Sequence, residues 1–361
     1  MFTLEYPPFK GGVANVYGNI TKYWPEHNGI FVLHNNDGKL INNKLPFLKW
    51  LPSFWRAYKT IKKEKINHII VGHILPLGTV ACVISRFANI KYSVVLHGMD
   101  LAFALKNNRK KRVAKKILNN ADNIICMNGY TARIVNDALG NGDGEKIKVV
   151  NPGVEAKKKG REKTKRQDEL KNKYNLKNKI VLLSVGRLVK RKGFDKVLES
   201  LPSVLRIAPN LFYVILGNGP EIENLKLKIE NLGLRENTAL ITGADDEEKN
   251  IWYETSDIFI MPSRNIDGDF EGFGIVYLEA NLAGKPVIAG DSGGIGDAVK
   301  DGVNGLLVNP ENAEEIKRAI IKLAKDKELR EKMGERGRER AIKEFNWEGQ
   351  VSKIYNLIVK P

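Results

Sequence analysis

The sequence predicts an α/β protein built from two Rossmann-like, doubly wound halves. Short apolar runs alternate with helical stretches through the first 150 residues, and the same rhythm restarts after a charged, core-poor segment. A chain of 361 residues is also too long for one ordinary core and suits two domains of roughly 150 to 180 residues each.

In the first half, residues 29–33, 66–71, 92–96, 123–127 and 146–150 read as strands, preceded by a short first strand within residues 1–4. Asn151-Pro152-Gly153 then breaks the pattern. Residues 156–179 carry eleven Lys or Arg against three acids and read as a charged linker leading into the second domain. Strands resume at 180–185, 211–216, 239–242, 258–261 and 286–289, and residues 347–359 have helical spacing. The expected division is therefore 1–155, a linker at 156–179, a second domain at 180–345, and a terminal helix within 346–361. Ligands in such sheets bind beyond the carboxyl ends of the strands, so the loops there are where chemistry is expected.

Composition narrows the class. Hydrophobic residues at 42% and charged residues at 28% fit a globular chain with no long disordered region. No stretch approaches the ~18 apolar residues of a membrane span. The N-terminal MFTLEYPPFKGG lacks a basic and an apolar signal region, which makes cytoplasmic residence the expectation. Cys82 and Cys126 lie in apolar runs without metal-ligand spacing and read as buried, reduced thiols. The net charge of +17 favours anionic partners: nucleotide phosphates, anionic lipid surfaces or nucleic acid. A second basic cluster, KNNRKKRVAKK, spans residues 106–116 and also fits a solvated helix face. No nucleic-acid module is recognisable, and aromatic residues do not interleave with the basic clusters. A nicotinamide dehydrogenase is disfavoured, because no G-x-G-x-x-G follows a strand with an acid about 20 residues on.

The most informative segment is EGFGIVYLEA, in which Glu271 and Glu279 flank a helix expected to open at Gly272–Gly274 and run to about Leu282. A helix N-terminus suits a phosphate, and acids suit hydroxyls. Eight residues at 1.5 Å rise span on the order of 12 Å, enough to reach across a diphosphate. Upstream, Gly186-Arg187-Leu188-Val189-Lys190-Arg191-Lys192-Gly193 follows a strand and puts Arg187 and Lys192 on a loop at its carboxyl end, with Lys190 and Arg191 expected to be solvated. Two fixed cations there can neutralise a diphosphate; a basic surface turn is the plainer alternative.

The run PSR...EGFGIVYLEANLAGKPVIAGDSGG resembles the donor-binding segment of retaining glycosyltransferases of the GT-B fold, of the group 1 or family-four type. The E-x(7)-E spacing is that family's most specific mark. The wording EGFGIVYLEA is similar to that of GDP-mannose-dependent α-mannosyltransferases. The resemblance implies two domains facing a cleft: an N-terminal acceptor domain, a C-terminal domain that binds the nucleotide sugar, and a last helix crossing back to the first domain.

It also implies roles. GRLVKRKG resembles the family's GRLxxxKG, so Arg187 and Lys192 would hold the donor diphosphate and stabilise the charge that develops as it departs. Glu271 would contact the sugar and Glu279 the ribose, with Gly186, Gly272, Phe273 and Gly274 lining the donor. EYPPFKGG resembles the EYPPxxGG loop, in which the Gly12 N–H meets the donor phosphate; a tight turn is the alternative. His97, in HGMD, would lie beside the transferred sugar, while Asp100 either orients the acceptor hydroxyl or caps the following helix. Gly217 and Gly219, in GNGP, either approach the base or form a plain turn. Gly293-Gly294 matches a family loop of unclear role. Asp267-Gly268-Asp269 is not read as a metal motif, because Arg187, Lys192 and the helix start replace a metal. Residues 45–63 either lie on a membrane surface or cover the first sheet.

The function implied is transfer of a hexose, mannose favoured, from a nucleoside diphosphate sugar to an acceptor hydroxyl. Transfer would be retaining, by same-face attack and without metal. No cofactor is expected beyond the donor, with GDP-mannose favoured over UDP-sugars. The acceptor would be a saccharide or a lipid-linked saccharide, with peripheral contact to anionic membrane permitted and no nucleic acid expected. A sugar-nucleotide epimerase or sugar phosphorylase on the same fold is the alternative within enzymes, and a basic nucleic-acid-binding protein the alternative outside them.

Overall fold

The computed structural model describes residues 1–9, 11–26, 29–42, 44, 48–140, 144–155 and 161–359, with backbone alone for 161–164. The chain divides into two compact units, Met1–Gly153 together with Asn346–Pro361, and Val154–Phe345.

The first unit is built on a six-stranded parallel sheet of β1 (Phe2–Thr3), β2 (Leu33–His34), β3 (His68–Val71), β4 (Lys91–Leu96), β5 (Asn123–Cys126) and β6 (Ile147–Val149), in the order β2-β1-β3-β4-β5-β6. The second has β7 (Ile180–Val185), β8 (Leu211–Leu216), β9 (Thr238–Ile241), β10 (Ile258–Met261), β11 (Val287–Gly290) and β12 (Gly305–Val308), also all parallel, in the order β12-β11-β10-β7-β8-β9. Parallel strands need crossover helices on both faces, so both faces are buried and the strands read as nearly continuous apolar runs. Alternation assigns the faces. Leu182, Tyr213, Ile215, Ile258, Ile260 and Ile288 feed one core of the second sheet. Val181, Leu183, Val185, Val214, Phe259 and Met261 feed the other.

Several boundaries differ from expectation. The strand expected at 29–33 is Leu33–His34: Gly29 N–H closes a turn onto Glu26, and pairing begins only at Phe2↔Leu33 because β1 offers just two residues. β12 is absent from the sequence reading; it is four residues long and opens on glycine, a poor strand former. The 156–179 linker is also not core-poor throughout. Arg161–Lys173 is a helix, Leu170 and Tyr174 pack on the second unit's core, and Leu176 is buried there, while residues 156–160 lie outside the described residues. Three apolar residues in so charged a run give too faint a period to recognise.

The described part of residues 45–63 favours the sheet-covering reading. The helix Leu51–Lys63 turns Ala57 and Ile61 into the first core and leaves Trp55 outside; residues 45–47 lie outside the described residues. The terminal helix Trp347–Val359 packs within the first unit. The Asn123 side chain donates to the Leu357 carbonyl at 3.2 Å, and Tyr355 bonds Glu26. Cys82 and Cys126 are both free and buried, and burial pushes the Cys126 thiol up to about 12.

One packing detail fixes the helix Ile275–Leu282. Gly334 and Gly337 lie on the helix Lys327–Glu344, where a Cβ at Gly334 would collide with the Gly284 carbonyl and one at Gly337 with the Asn281 amide. Gly334→Ala gains about 1 kcal/mol of helix propensity but overpacks against backbone, at a cost of about 1–3 kcal/mol. We expect net destabilisation in urea melts; a more stable variant would mean that the helices separate freely.

Candidate active site

A doubly wound sheet opens a crevice where the strand order reverses. In the second sheet that point lies between β7 and β10, and both loops leaving it carry the residues singled out above. The chain exits β7 at Gly186, exposes Arg187, and makes a single 3-10 turn over Lys190–Lys192 before Gly193. Gly193 is left-handed, with φ +78°, and a Cβ there would strike the Pro262 carbonyl. The β7 and β10 loops are thereby pressed together, and Arg264 N–H donates to the Arg191 carbonyl at 2.8 Å.

This contact assembles a charge cluster. The Lys192 side chain, 9% exposed, pairs with Glu271, 12% exposed. Arg191 bridges two acids, with Nη1 2.8 Å from Glu271 and Nε 2.9 Å from Asp269. Burial pushes the Glu271 carboxyl up, but Lys192 and then Arg191 more than reverse this and hold it below the ordinary glutamate value. The expectation that Arg191 is solvated is thus corrected, because two carboxylates from the β10 loop reach it; Lys190 is exposed as expected. Asp267 and Gly268, both with positive φ, form a two-residue hairpin turn whose flanking Ile266 and Asp269 exchange backbone bonds of 3.1 and 2.8 Å. That turn delivers Asp269 to Arg191. Sequence reasoning missed Arg264, which is buried and forks onto Asp195 at 3.1 and 2.8 Å, tying the β10 loop to the helix Phe194–Leu205. Its signal is an arginine three residues past the end of a buried strand.

The helix after this loop starts later than expected, at Ile275, with left-handed Gly274 as its cap. Glu271 therefore stands outside the helix, and helical rise alone does not set its distance from Glu279. The Glu271 carbonyl accepts from Gly294 N–H at 3.0 Å, which gives the Gly293-Gly294 loop a role in fixing this acid. Glu279, 29% exposed, accepts from Tyr253 Oη at 2.8 Å and pairs with Lys249 at 3.5 Å. Burial, then Glu279, raises the Tyr253 phenol well above its usual value, so it stays a donor. Phe273 is buried against Phe345, which leaves its backbone alone for a ligand. Gly217 and Gly219 have a packing role: a Cβ on either would collide with the Gly186 or Leu188 carbonyl of the β7 loop.

In the first sheet the order reverses between β1 and β3. Gly12 opens the helix Gly12–Lys22 with open space at its Cβ position, while Lys10 lies outside the described residues. His97, after β4, bonds the Tyr17 hydroxyl at 3.0 Å, and Tyr17 in turn donates to the Gly72 carbonyl. Asp100 accepts from Gly98 N–H at 3.2 Å and Ile74 N–H at 3.4 Å, so it ties the β3 loop to its own helix start. His73 and Tyr17, missed in the sequence, complete this group; the strand-end histidine in VGH mirrors the one in LHG. Burial, reinforced by His73, pushes His97 down to about 3, and burial takes His68 and His73 to about 4. All three folded values lie below the ordinary ~6.5, so the folded state binds fewer protons on the acid side. Their stabilisation is complete above pH ~6.5 and is lost as pH falls toward the folded values. Thermal midpoints should drop on acidification below pH ~6.5; a flat or rising profile would contradict neutral burial.

Arg191→Ala leaves Asp269 without this partner and Glu271 with Lys192 alone. A loss of about 1–3 kcal/mol is expected, below that of a fully broken buried pair because Lys192 stays. Chemical denaturation measures it, and an unchanged midpoint would show that the bridge contributes nothing.

Comparison with known proteins places this geometry. Residues 166–340 match the family profile described as glycosyl transferases group 1, and residues 11–158 match glycosyltransferase family 4. An uncharacterized glycosyltransferase of Methanocaldococcus jannaschii is 32% identical over 85% of this chain and 79% of its own length. A GDP-mannose-dependent alpha-(1-6)-phosphatidylinositol monomannoside mannosyltransferase of Mycolicibacterium smegmatis is 28% identical over 84% of this chain and 79% of its own. Among solved structures, Anabaena HepE in complex with UDP superposes with a TM-score of 0.80 over 98% of both chains at 21% identity. The chain belongs to the group 1 and family 4 glycosyltransferases of the GT-B fold and is a transferase related to mannosyltransferases.

Proposed function

We propose that the protein transfers a mannosyl group from GDP-mannose to an acceptor hydroxyl with retention of anomeric configuration and without a metal. The observation that carries this reading is the Lys192–Glu271–Arg191 cluster at the switch point of the second sheet, with exposed Arg187 on the same loop. A sugar diphosphate needs cations for its phosphates and an acid for its hydroxyls, and this crevice supplies both. Similarity to GDP-mannose-dependent relatives supports the donor.

In the reaction the acceptor oxygen attacks the anomeric carbon on the face from which the phosphate departs. The bond from that carbon to the phosphate oxygen breaks, and the acceptor proton passes to that oxygen. Arg187 and Lys192 stabilise its charge as it develops, which is the work a metal would otherwise do. Glu271 grips the hexose and Glu279 the ribose, while Gly186, Gly217, Gly219, Gly272 and Gly274 offer backbone along the donor. Gly12 binds phosphate through its N–H, His97 contacts the sugar, and Asp100 holds the loop that receives the acceptor.

The acceptor is a lipid-linked saccharide at an anionic membrane face. The helix Asn108–Asn120 supports this: it exposes Arg109, Lys110, Lys111 and Arg112, with the apolar Val113 and neighbouring Phe103 exposed beside them.

Thermal-shift titration should show larger stabilisation by GDP-mannose than by UDP-glucose or UDP-N-acetylglucosamine. Transfer should persist in EDTA and give an α product by proton NMR. Lys192→Ala should lower kcat by about 10²–10³-fold, whereas Glu279→Gln should mainly raise the donor KM. Preference for a UDP-sugar would replace the donor, and near-normal kcat in Lys192→Ala would remove the charge-stabilisation role.

A further inference from the structure

We propose that Tyr17 is a positioning residue that fixes His97 as the Nε2–H tautomer, leaving Nδ1 as a hydrogen-bond acceptor for a hydroxyl of the transferred sugar. The inference deepens the reading above and rests on it for the identity of the ligand.

Its basis is proton accounting. The Tyr17 hydroxyl carries one proton, and its bond to the Gly72 carbonyl uses it, since a carbonyl oxygen only accepts. The phenol oxygen therefore meets His97 Nε2, 3.0 Å away, with lone pairs alone. Only an Nε2–H can bond there. A neutral imidazole has one N–H, so Nδ1 keeps a bare lone pair. His97 stays neutral at any ordinary working pH, because burial holds its value near 3. Among the described residues Nδ1 has no protein partner, and His97 is incompletely buried at the carboxyl end of β4.

The scaffold holds this arrangement tightly. Tyr17 is wholly buried in the helix Gly12–Lys22, and its ring stands edge-on to His97 at 5.4 Å and 82°. Gly72 leaves room for that ring, since a Cβ there would come within 2.6 Å of it. A nitrogen that accepts and cannot donate pairs with an O–H and gains nothing from a carbonyl or phosphate oxygen. The assignment thus selects for a hydroxyl at one carbon of the hexose and against an analogue lacking it.

Two measurements on the full-length protein test this. Nitrogen-15 spectra of the unliganded protein have only five histidines to resolve, and comparison with His97→Asn identifies the signals of interest. His97 should show a protonated Nε2 and an unprotonated Nδ1, and Tyr17→Phe should admit the other tautomer. In kinetics, Tyr17→Phe should reduce kcat/KM for the intact sugar nucleotide about tenfold. For the one deoxy-sugar analogue that lacks the contacted hydroxyl, the loss should be much smaller, because that contact is already gone. A merely structural role would lower the whole panel equally. An Nδ1–H signal in the wild type, or a uniform loss across the panel, overturns the proposal. The nitrogen spectrum is read without substrate, so failure of the donor reading, seen as no transfer from any sugar nucleotide, is distinguishable from failure of the Tyr17 relay.

Discussion

Burial of a parallel sheet on both faces leaves its strands no room for chemistry. Every side chain from Val181 to Val185 and from Ile258 to Met261 is buried, and their backbones are engaged in ladders. Polar function is therefore pushed to the carboxyl ends, where the chain first escapes the cores. At the switch point two loops leave neighbouring strands in opposite directions, and whatever they carry meets. In this protein that is Lys192 and Arg191 from one loop, and Asp269 and Glu271 from the other. Attraction between them closes the loops together, and Gly193 lets the backbones come close enough for that attraction to act at short range.

The cluster explains how an ionised acid can stand in the crevice proposed above for the donor diphosphate. Glu271 is more than four-fifths buried, and an isolated carboxylate there would take up a proton instead. Lys192 and Arg191 keep it ionised. The pairing also restrains Lys192, and in the proposed reaction such preorganised charge would avoid reorganisation. A second structural role falls to backbone atoms. The Gly294 N–H and the Gly217 and Gly219 contacts brace the loops without offering side chains, which is one reason their glycines stand out in the sequence.

Much of this was legible in the sequence. Nine of the strand positions, β3 to β11, announced themselves as apolar runs, because double-sided burial demands continuous hydrophobicity. Glu271, Arg187 and Lys192 stood out because loop residues at strand ends answer to chemistry more than to packing, and Glu279 stood out through its fixed spacing from Glu271 on the helix that follows. What escaped had weak local signals. β12 opens on glycine, the helix Arg161–Lys173 holds its place with a few apolar contacts amid charge, and the two-residue partnership of β1 and β2 depends on register between distant segments. Arg191 was misjudged because a basic residue in a basic run looks solvated until the acids that fold back upon it are seen. Tyr17 and His73 belong to a constellation drawn from three segments, and no single window of sequence contains it.

Burial of both native thiols has a practical side. Cys82 and Cys126 lie inside the first unit, and the thiolate form that reacts with maleimides is suppressed at Cys126 by its high proton affinity. A cysteine introduced on the surface of either unit would therefore be the reactive thiol in the folded chain. Donor and acceptor dyes could be attached at chosen positions without first stripping the natural cysteines from the core, which makes this chain well suited to single-molecule fluorescence measurements.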